Sequence, residues 1–70
     1  MISIEGRRIY FNDARGAEEF LADSRNLHAA LGYLNVAKES GQTFLSTPNG
    51  NRYILKYSPE KDEYVASYYK

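Results

Sequence analysis

Between Thr43 and Tyr57 the chain runs Thr-Phe-Leu-Ser-Thr-Pro-Asn-Gly-Asn-Arg-Tyr-Ile-Leu-Lys-Tyr, and this stretch constrains the fold more than any other. Asn49-Gly50 stands between two runs rich in β-branched and aromatic residues, the strongest short-range signal for a β-hairpin. A type I′ turn needs positive φ at both central residues, which Asn and Gly adopt at the lowest steric cost. With these two as the turn, Thr47 is expected opposite Arg52, Leu45 opposite Ile54 and Phe44 opposite Leu55. One face then carries Phe44, Ser46, Tyr53, Leu55 and Tyr57. The other carries Leu45 and Ile54 among Thr43, Thr47, Arg52 and Lys56. Pro48 lacks an amide donor, which is tolerable on an edge or beside a turn.

A second hairpin is expected over residues 2–11. Ile2, Ile4, Ile9 and Phe11 alternate with Ser3, Glu5, Arg8 and Tyr10, the period of a half-buried strand. A two-residue turn at Gly6-Arg7 suits type II′, with Gly at its first central position. That register pairs Ile4 with Ile9 and Ile2 with Phe11 on one face, and Glu5 with Arg8 and Ser3 with Tyr10 on the other. Apolar and opposite-charge cross-strand pairs both favour it.

Helix follows. Asn12-Asp13 supplies side chains that accept from free amides of a first turn, and Asp13 suits the positive helix end. Ala14, Ala17, Phe20 and Leu21 then form an apolar stripe at helical spacing. Gly16 weakens such a helix by about 1 kcal/mol relative to Ala; a close approach to the sheet is the compensation we expect. Asp23-Ser24-Arg25-Asn26 favours caps and turns, and the stripe resumes at Leu27, Ala30, Leu31, Leu34 and Ala37 or Lys38. One helix over 13–39 would span about 40 Å, too long for so small a domain. Two helices, about 13–22 and 25–39, are therefore expected, with Gly41 ending the second.

Ser58-Pro59-Glu60-Lys61-Asp62 forms a turn, and Glu63 to Tyr69 a final strand. Either Tyr64, Ala66 and Tyr68, or Val65, Ser67 and Tyr69, join the face of Leu55. The expected fold is thus a single α+β domain over 1–70, in the order β-β-α-α-β-β-β. An N-terminal hairpin and a C-terminal three-stranded meander form a small single-layer sheet, mainly antiparallel and packed on two helices.

Seventy residues bury only about 60% of their unfolded surface, so stability is marginal without a staple. The chain has no Cys, which removes disulfides and thiolate metal sites and agrees with a reducing, cytoplasmic compartment. No apolar run has signal-peptide length or approaches the roughly 20 residues of a membrane span, so no membrane is expected. Nine basic residues balance nine acidic ones. Residues 1–41 hold five and six of them, and residues 42–70 four and three. A non-specific nucleic-acid binder usually carries a basic excess. Near-neutrality instead favours association with a protein or with itself.

Catalytic groups are scarce. His28 is the single His, beside the apolar stripe, with no positioned nucleophile or orienting partner. It lacks metal-ligand spacing, and Glu60, Asp62 and Glu63 form a solvated turn. Gly6-Arg7-Arg8 is a hairpin turn with edge-protecting cations. No enzyme, no metal and no cofactor are expected.

Tyrosine stands out. Of seven, Tyr53, Tyr57, Tyr64, Tyr68 and Tyr69 fall in the last eighteen residues, interleaved with Arg52, Lys56 and Lys70. Tyr gives rigid contact area with a polar tip and is enriched at interfaces. Some of these rings must be core, but five on two adjacent strands exceed what one buried face holds. The expected function is a small non-enzymatic protein-binding module of the regulator or inhibitor type. Its contacts would be Tyr53, Tyr57, Tyr64 and Tyr68, with Arg52 and Lys56 at the rim, and its partner another protein or a second copy. The alternative is single-stranded nucleic acid, with bases stacked on the same rings and Arg7, Arg8, Arg52 and Lys56 on phosphates.

Overall fold

The computed structural model describes residues 1–48 and 50–69. The elements follow the expected order: β1 (Ile2–Ile4), β2 (Arg7–Asn12), α1 (Arg15–Ala22), a 3₁₀ turn (Ser24–Asn26), α2 (Leu27–Ser40), β3 (Gln42–Ser46), β4 (Arg52–Ser58) and β5 (Glu63–Tyr68). Two helices do replace one long one. Asp23 breaks the run with extended backbone, accepts from the Arg25 amide and is held by the Arg25 guanidinium at 2.8 Å. The longest dimension of the molecule is 32 Å, shorter than a continuous helix would need.

The five strands form one sheet in the order β1-β2-β5-β4-β3. β3, β4 and β5 make the expected antiparallel meander. The sheet is nevertheless mixed, because β5 inserts beside β2 and runs parallel to it, Ile9 facing Tyr64 and Phe11 facing Ala66. Tight turns force antiparallel pairing between neighbours in sequence only. The helical segment between β2 and β3 acts as a crossover to the far edge, and the meander then grows back to meet β2.

Both hairpin registers differ from expectation. In the first, Ile2 faces Ile9 and Ile4 faces Arg7; the turn is Glu5-Gly6, with φ of 48° and 82°. This slip of two residues leaves Ile2, Ile4, Ile9 and Phe11 on one face. It also frees Arg8 from Glu5, and Arg8 meets Glu63 of β5 instead.

In the second, Leu45 faces Tyr53, Phe44 faces Ile54 and Thr43 faces Leu55. The slip is one residue, which exchanges the two faces of β3 relative to β4. Thr47 donates to the Asn51 carbonyl and accepts from the Gly50 amide, both at 3.0 Å. The loop therefore holds three residues, with Pro48 directly after Thr47 and Gly50 at φ 89°. Pro is favoured at the second position of a type I turn, and Gly at the left-handed position that closes a three-residue hairpin loop. Asn49, half of the expected two-residue turn, lies outside the described residues.

Both helices cover one face of the sheet. Ile9, Leu34, Leu45, Leu55 and Tyr64 are the largest fully buried side chains. Around them Ala14, Ala17, Ala30, Ala37 and Ala66 let helix and sheet approach closely. Ala30, Leu34 and Ala37 point α2 at the sheet; Leu27 is exposed. α1 turns Ala17 and Leu21 inward. Gly16 has the expected reason: a Cβ there would overlap the Tyr53 hydroxyl. The expected cap is absent, however. β2 runs through Asn12, Asp13 adopts φ 51°, and Ala14 opens α1 with no side-chain hydrogen bond. The strand claims Asn12, and the buried Ala14 anchors the helix start. Gly41, at φ 91°, ends α2 by donating to Ala37. Among the described residues no helix is long and apolar enough to cross a membrane.

Candidate functional site

Alternation along each strand sorts the tyrosines. Tyr53, Leu55 and Tyr57 of β4 share the helix-covered face with Tyr64, Ala66 and Tyr68 of β5. Tyr53 and Tyr64 are 3% and 1% exposed, so their rings are core and present no contact area. Tyr57 is half-buried on the same face. Its ring lies 4.9 Å from Tyr64 and under the Lys38 ammonium, and its hydroxyl donates to Asp62 Oδ1 at 2.7 Å. That bond to a carboxylate raises the phenol's pKa above its ordinary value; desolvation and the Asp62 charge push the same way. Tyr68 is 42% exposed at the rim, edge-on to Tyr53 at 5.6 Å. Arg52 and Lys56 point to the opposite, helix-free face. The six residues expected to form one contact surface are thus divided between core, rim and two faces.

The helix-free face carries a different set. Ile54 and Val65 lie at its middle, on the two central strands β4 and β5. Phe44 of β3, Tyr10 of β2 and Tyr69, just past β5, surround them. Phe44 is 49% exposed, and Tyr10, Val65 and Tyr69 are exposed too. Phe44 and Tyr69 meet edge to face at 5.1 Å, and the Tyr69 amide donates to Arg52 O at 2.9 Å, which fastens the chain after β5 to β4. On the β2 side, Tyr10 donates to Glu63 Oε2 at 3.3 Å, and Arg8 reaches the same carboxylate at 3.6 Å and the Lys61 carbonyl at 3.2 Å. Arg52 and Lys56 make no ion pair among the described residues. Three strand cations therefore face one carboxylate on this surface, in a chain whose total charge is zero.

Tyr10 was legible as outward from its place in the Ser3-Arg8-Tyr10 series. Ile54 was legible as sharing a face with Arg52 and Lys56. Phe44 was not, and the signal that finds it is Pro48: counting it into the loop shifts β3 by one residue and exposes Phe44. Tyr69 follows from the β5 register, which three inward pairs (Tyr53 with Tyr68, Leu55 with Ala66, Tyr57 with Tyr64) settle.

Elsewhere the surface offers little chemistry. His28 is exposed on α2. Asp62 and Glu63 engage different partners on opposite sides of the sheet. Among the described residues no group of three or more His, Cys, Asp or Glu converges on a metal position. A groove of about 330 Å³ between β1 and the end of α1 is lined by Ile2, Ile4, Leu21 and Leu27 with Asp23 and Ser24.

Comparison of the chain with family models, curated proteins and solved structures finds no match. Fold and surface therefore define the class directly: a small α+β domain with two helices on one side of a five-stranded mixed sheet and the other side open.

Proposed function

We propose that the protein is a small non-enzymatic binding module that docks an acidic protein surface on the helix-free face of its sheet. The observation behind this is the make-up of that face. An apolar centre of Ile54, Val65 and Phe44 is flanked by Tyr10 and Tyr69 and edged by the unpaired Arg52 and Lys56. Apolar centre, aromatic anchors and charged rim are the anatomy of a protein–protein contact. No element of the chain among the described residues covers it. Relative to the expectation from sequence, Arg52 and Lys56 stay at the rim, Tyr68 passes from anchor to rim, and Tyr10, Phe44 and Tyr69 take the place of Tyr53, Tyr57 and Tyr64 as anchors.

Partners captured by the wild type are to be identified, purified and titrated against Val65→Ser and Tyr69→Ser. Each substitution is expected to weaken binding at least tenfold, and Arg52→Glu with Lys56→Glu to slow association and remove its salt dependence. Unchanged affinity in both face variants would sink the proposal.

Single-stranded nucleic acid remains the alternative, because exposed rings beside cations on an open sheet also suit stacked bases. Two features weigh against it. The Phe44 and Tyr69 rings are engaged with each other, and among the described residues the strand cations of this face without an ion pair number two, Arg52 and Lys56. A low-salt oligonucleotide titration separates the two partners; the protein-binding proposal expects a flat response.

A further inference from the structure

β3 is the outer strand of the sheet, and its ladder can be read bond by bond. Tyr57 donates to Gly41 O at 2.9 Å, and Thr47 donates to Asn51 O at 3.0 Å. These two bonds bracket the strand. Because an antiparallel ladder alternates hydrogen-bonded and open pairs, Thr43 and Leu45 also turn their backbone groups toward β4. Gln42, Phe44 and Ser46 then direct their N–H and C=O groups away from the sheet. Three donors and three acceptors stand in a row on its free edge.

Edges are normally blunted by charge, by proline, by a bulge or by brevity. The other edge, β1, has three residues and is followed by Glu5 and Arg7. β3 has five residues, Gln-Thr-Phe-Leu-Ser, with no charge and no proline, and its pairing with β4 has no bulge.

We propose that this edge pairs with the same edge of a second copy, antiparallel about Phe44, to give a two-fold dimer with a continuous sheet. The row is self-complementary. A two-fold axis normal to the sheet at Phe44 sets Phe44 against its own copy, Gln42 against Ser46, and Thr43 against Leu45. All six outward groups find partners on each chain, and no charged side chain of β3 opposes another. The two-fold also keeps both helix layers on one side, so the helix-free faces join. At about 4.8 Å per strand and 3.3 Å per residue, one such face measures about 480 Å² in plan. Two joined faces reach the area of about 800 Å² that a stable contact takes from each partner. The pairing uses the edge and not the face, so it does not depend on what the face binds.

The chain's lack of cysteine makes the register testable. Across the two-fold the Cα atoms of Phe44 and its copy would stand about 5.5 Å apart, within the 4.4–6.8 Å span of a disulfide. Ser46 and its copy would be offset by four residues, about 13 Å, and out of reach. Phe44→Cys is expected to cross-link under mild oxidation and Ser46→Cys alone not to. Gln42→Cys mixed with Ser46→Cys is expected to give the mixed dimer. Sedimentation of the full chain should move from 8.0 kDa to twice that mass with concentration. Ser46→Pro removes an outward amide but no bond to β4. It should weaken association at least tenfold with the circular dichroism unchanged, with a Tm equal to that of the wild type at dilutions where both are monomeric, and with Val65 and Tyr69 still available to a partner. A chain that stays monomeric at all concentrations overturns the proposal, as it would if the edge served a foreign strand. So does a dimer that survives Ser46→Pro, or equal cross-linking at 44 and 46.

Discussion

The two sides of β4 differ more than their composition suggests. Tyr53 and Leu55 lie under the helices and are buried, while Arg52, Ile54 and Lys56, their immediate neighbours in sequence, meet solvent or lie half-covered on the helix-free side. Across the whole sheet both sides hold aromatic and aliphatic residues, Tyr10, Phe44, Ile54 and Val65 on the open one, so composition alone does not tell core from contact surface. Charge does. Every side chain that β4 and β5 turn toward the helices is uncharged, and the charged members Arg52, Lys56 and Glu63 all turn the other way. The covered side is also closed by small residues, five alanines and Gly16, whereas the open side keeps its large side chains without such partners.

The largest expected effect tests that division directly. Leu55→Ala removes a fully buried side chain and is expected to cost about 2–5 kcal/mol of stability, the usual range for a buried leucine. Ile54→Ala, one residue away on the other side, should cost about 1 kcal/mol in line with its partial burial. Equilibrium urea unfolding of the two variants checks this; similar losses would erase the distinction between the sides.

A smaller effect is expected where α1 touches the sheet. Gly16→Ala should gain helix propensity but drive a methyl into the Tyr53 hydroxyl, a net loss of about 1–3 kcal/mol typical of overpacking. Removing the hydroxyl by Tyr53→Phe should recover most of it, since the next ring atom stands 3.2 Å from the added Cβ. A double-mutant cycle with no coupling would show that α1 shifts freely and that the covered side is less tightly closed than its geometry implies.

These contrasts also show how far the sequence could be read. The order of elements, the split between α1 and α2 at Asp23, the end of α2 at Gly41 and the close approach at Gly16 all follow from local chemistry, and all are present. The faces were harder. In the first hairpin an error of two residues costs nothing in facing, because the side-chain period is two, so Ile4 and Ile9 remain inward. In the second an error of one residue reverses Phe44 and Leu45. The Asn49-Gly50 pair is a strong signal, but Pro48 before it enlarges the loop, and its fixed φ outweighs the preference for a two-residue turn. The parallel contact of β2 with β5 joins residues more than fifty positions apart, which no local pattern encodes. The candidate site suffered most, since assigning tyrosines to a surface depends on facing. Tyr53 and Tyr64 moved to the core, while Phe44, carried outward by the same slip, became its most exposed strand ring.

The smallest expected effect concerns Tyr57, which lies on the covered side but reaches solvent with its polar tip. Its hydroxyl donates to Asp62, which φ of 52° holds in the turn before β5. A phenolate cannot donate and would face a carboxylate, so the folded state holds the proton more firmly than the unfolded chain and the pKa rises. The sign follows by linkage. A group whose pKa is higher when folded adds stability below its unfolded pKa, near 10 for tyrosine, and that contribution is lost as the pH climbs past it. Wild type should therefore melt slightly above Tyr57→Phe at neutral pH, with the gap closing as the pH rises above about 10 and through the raised folded value. Because the other six tyrosines are common to both proteins, the difference between their Tm values isolates this one bond. A gap that stays constant across that range would mean that Tyr57 contributes through its ring, stacked on Tyr64 and beneath Lys38, and that the covered side is held by packing alone up to its rim.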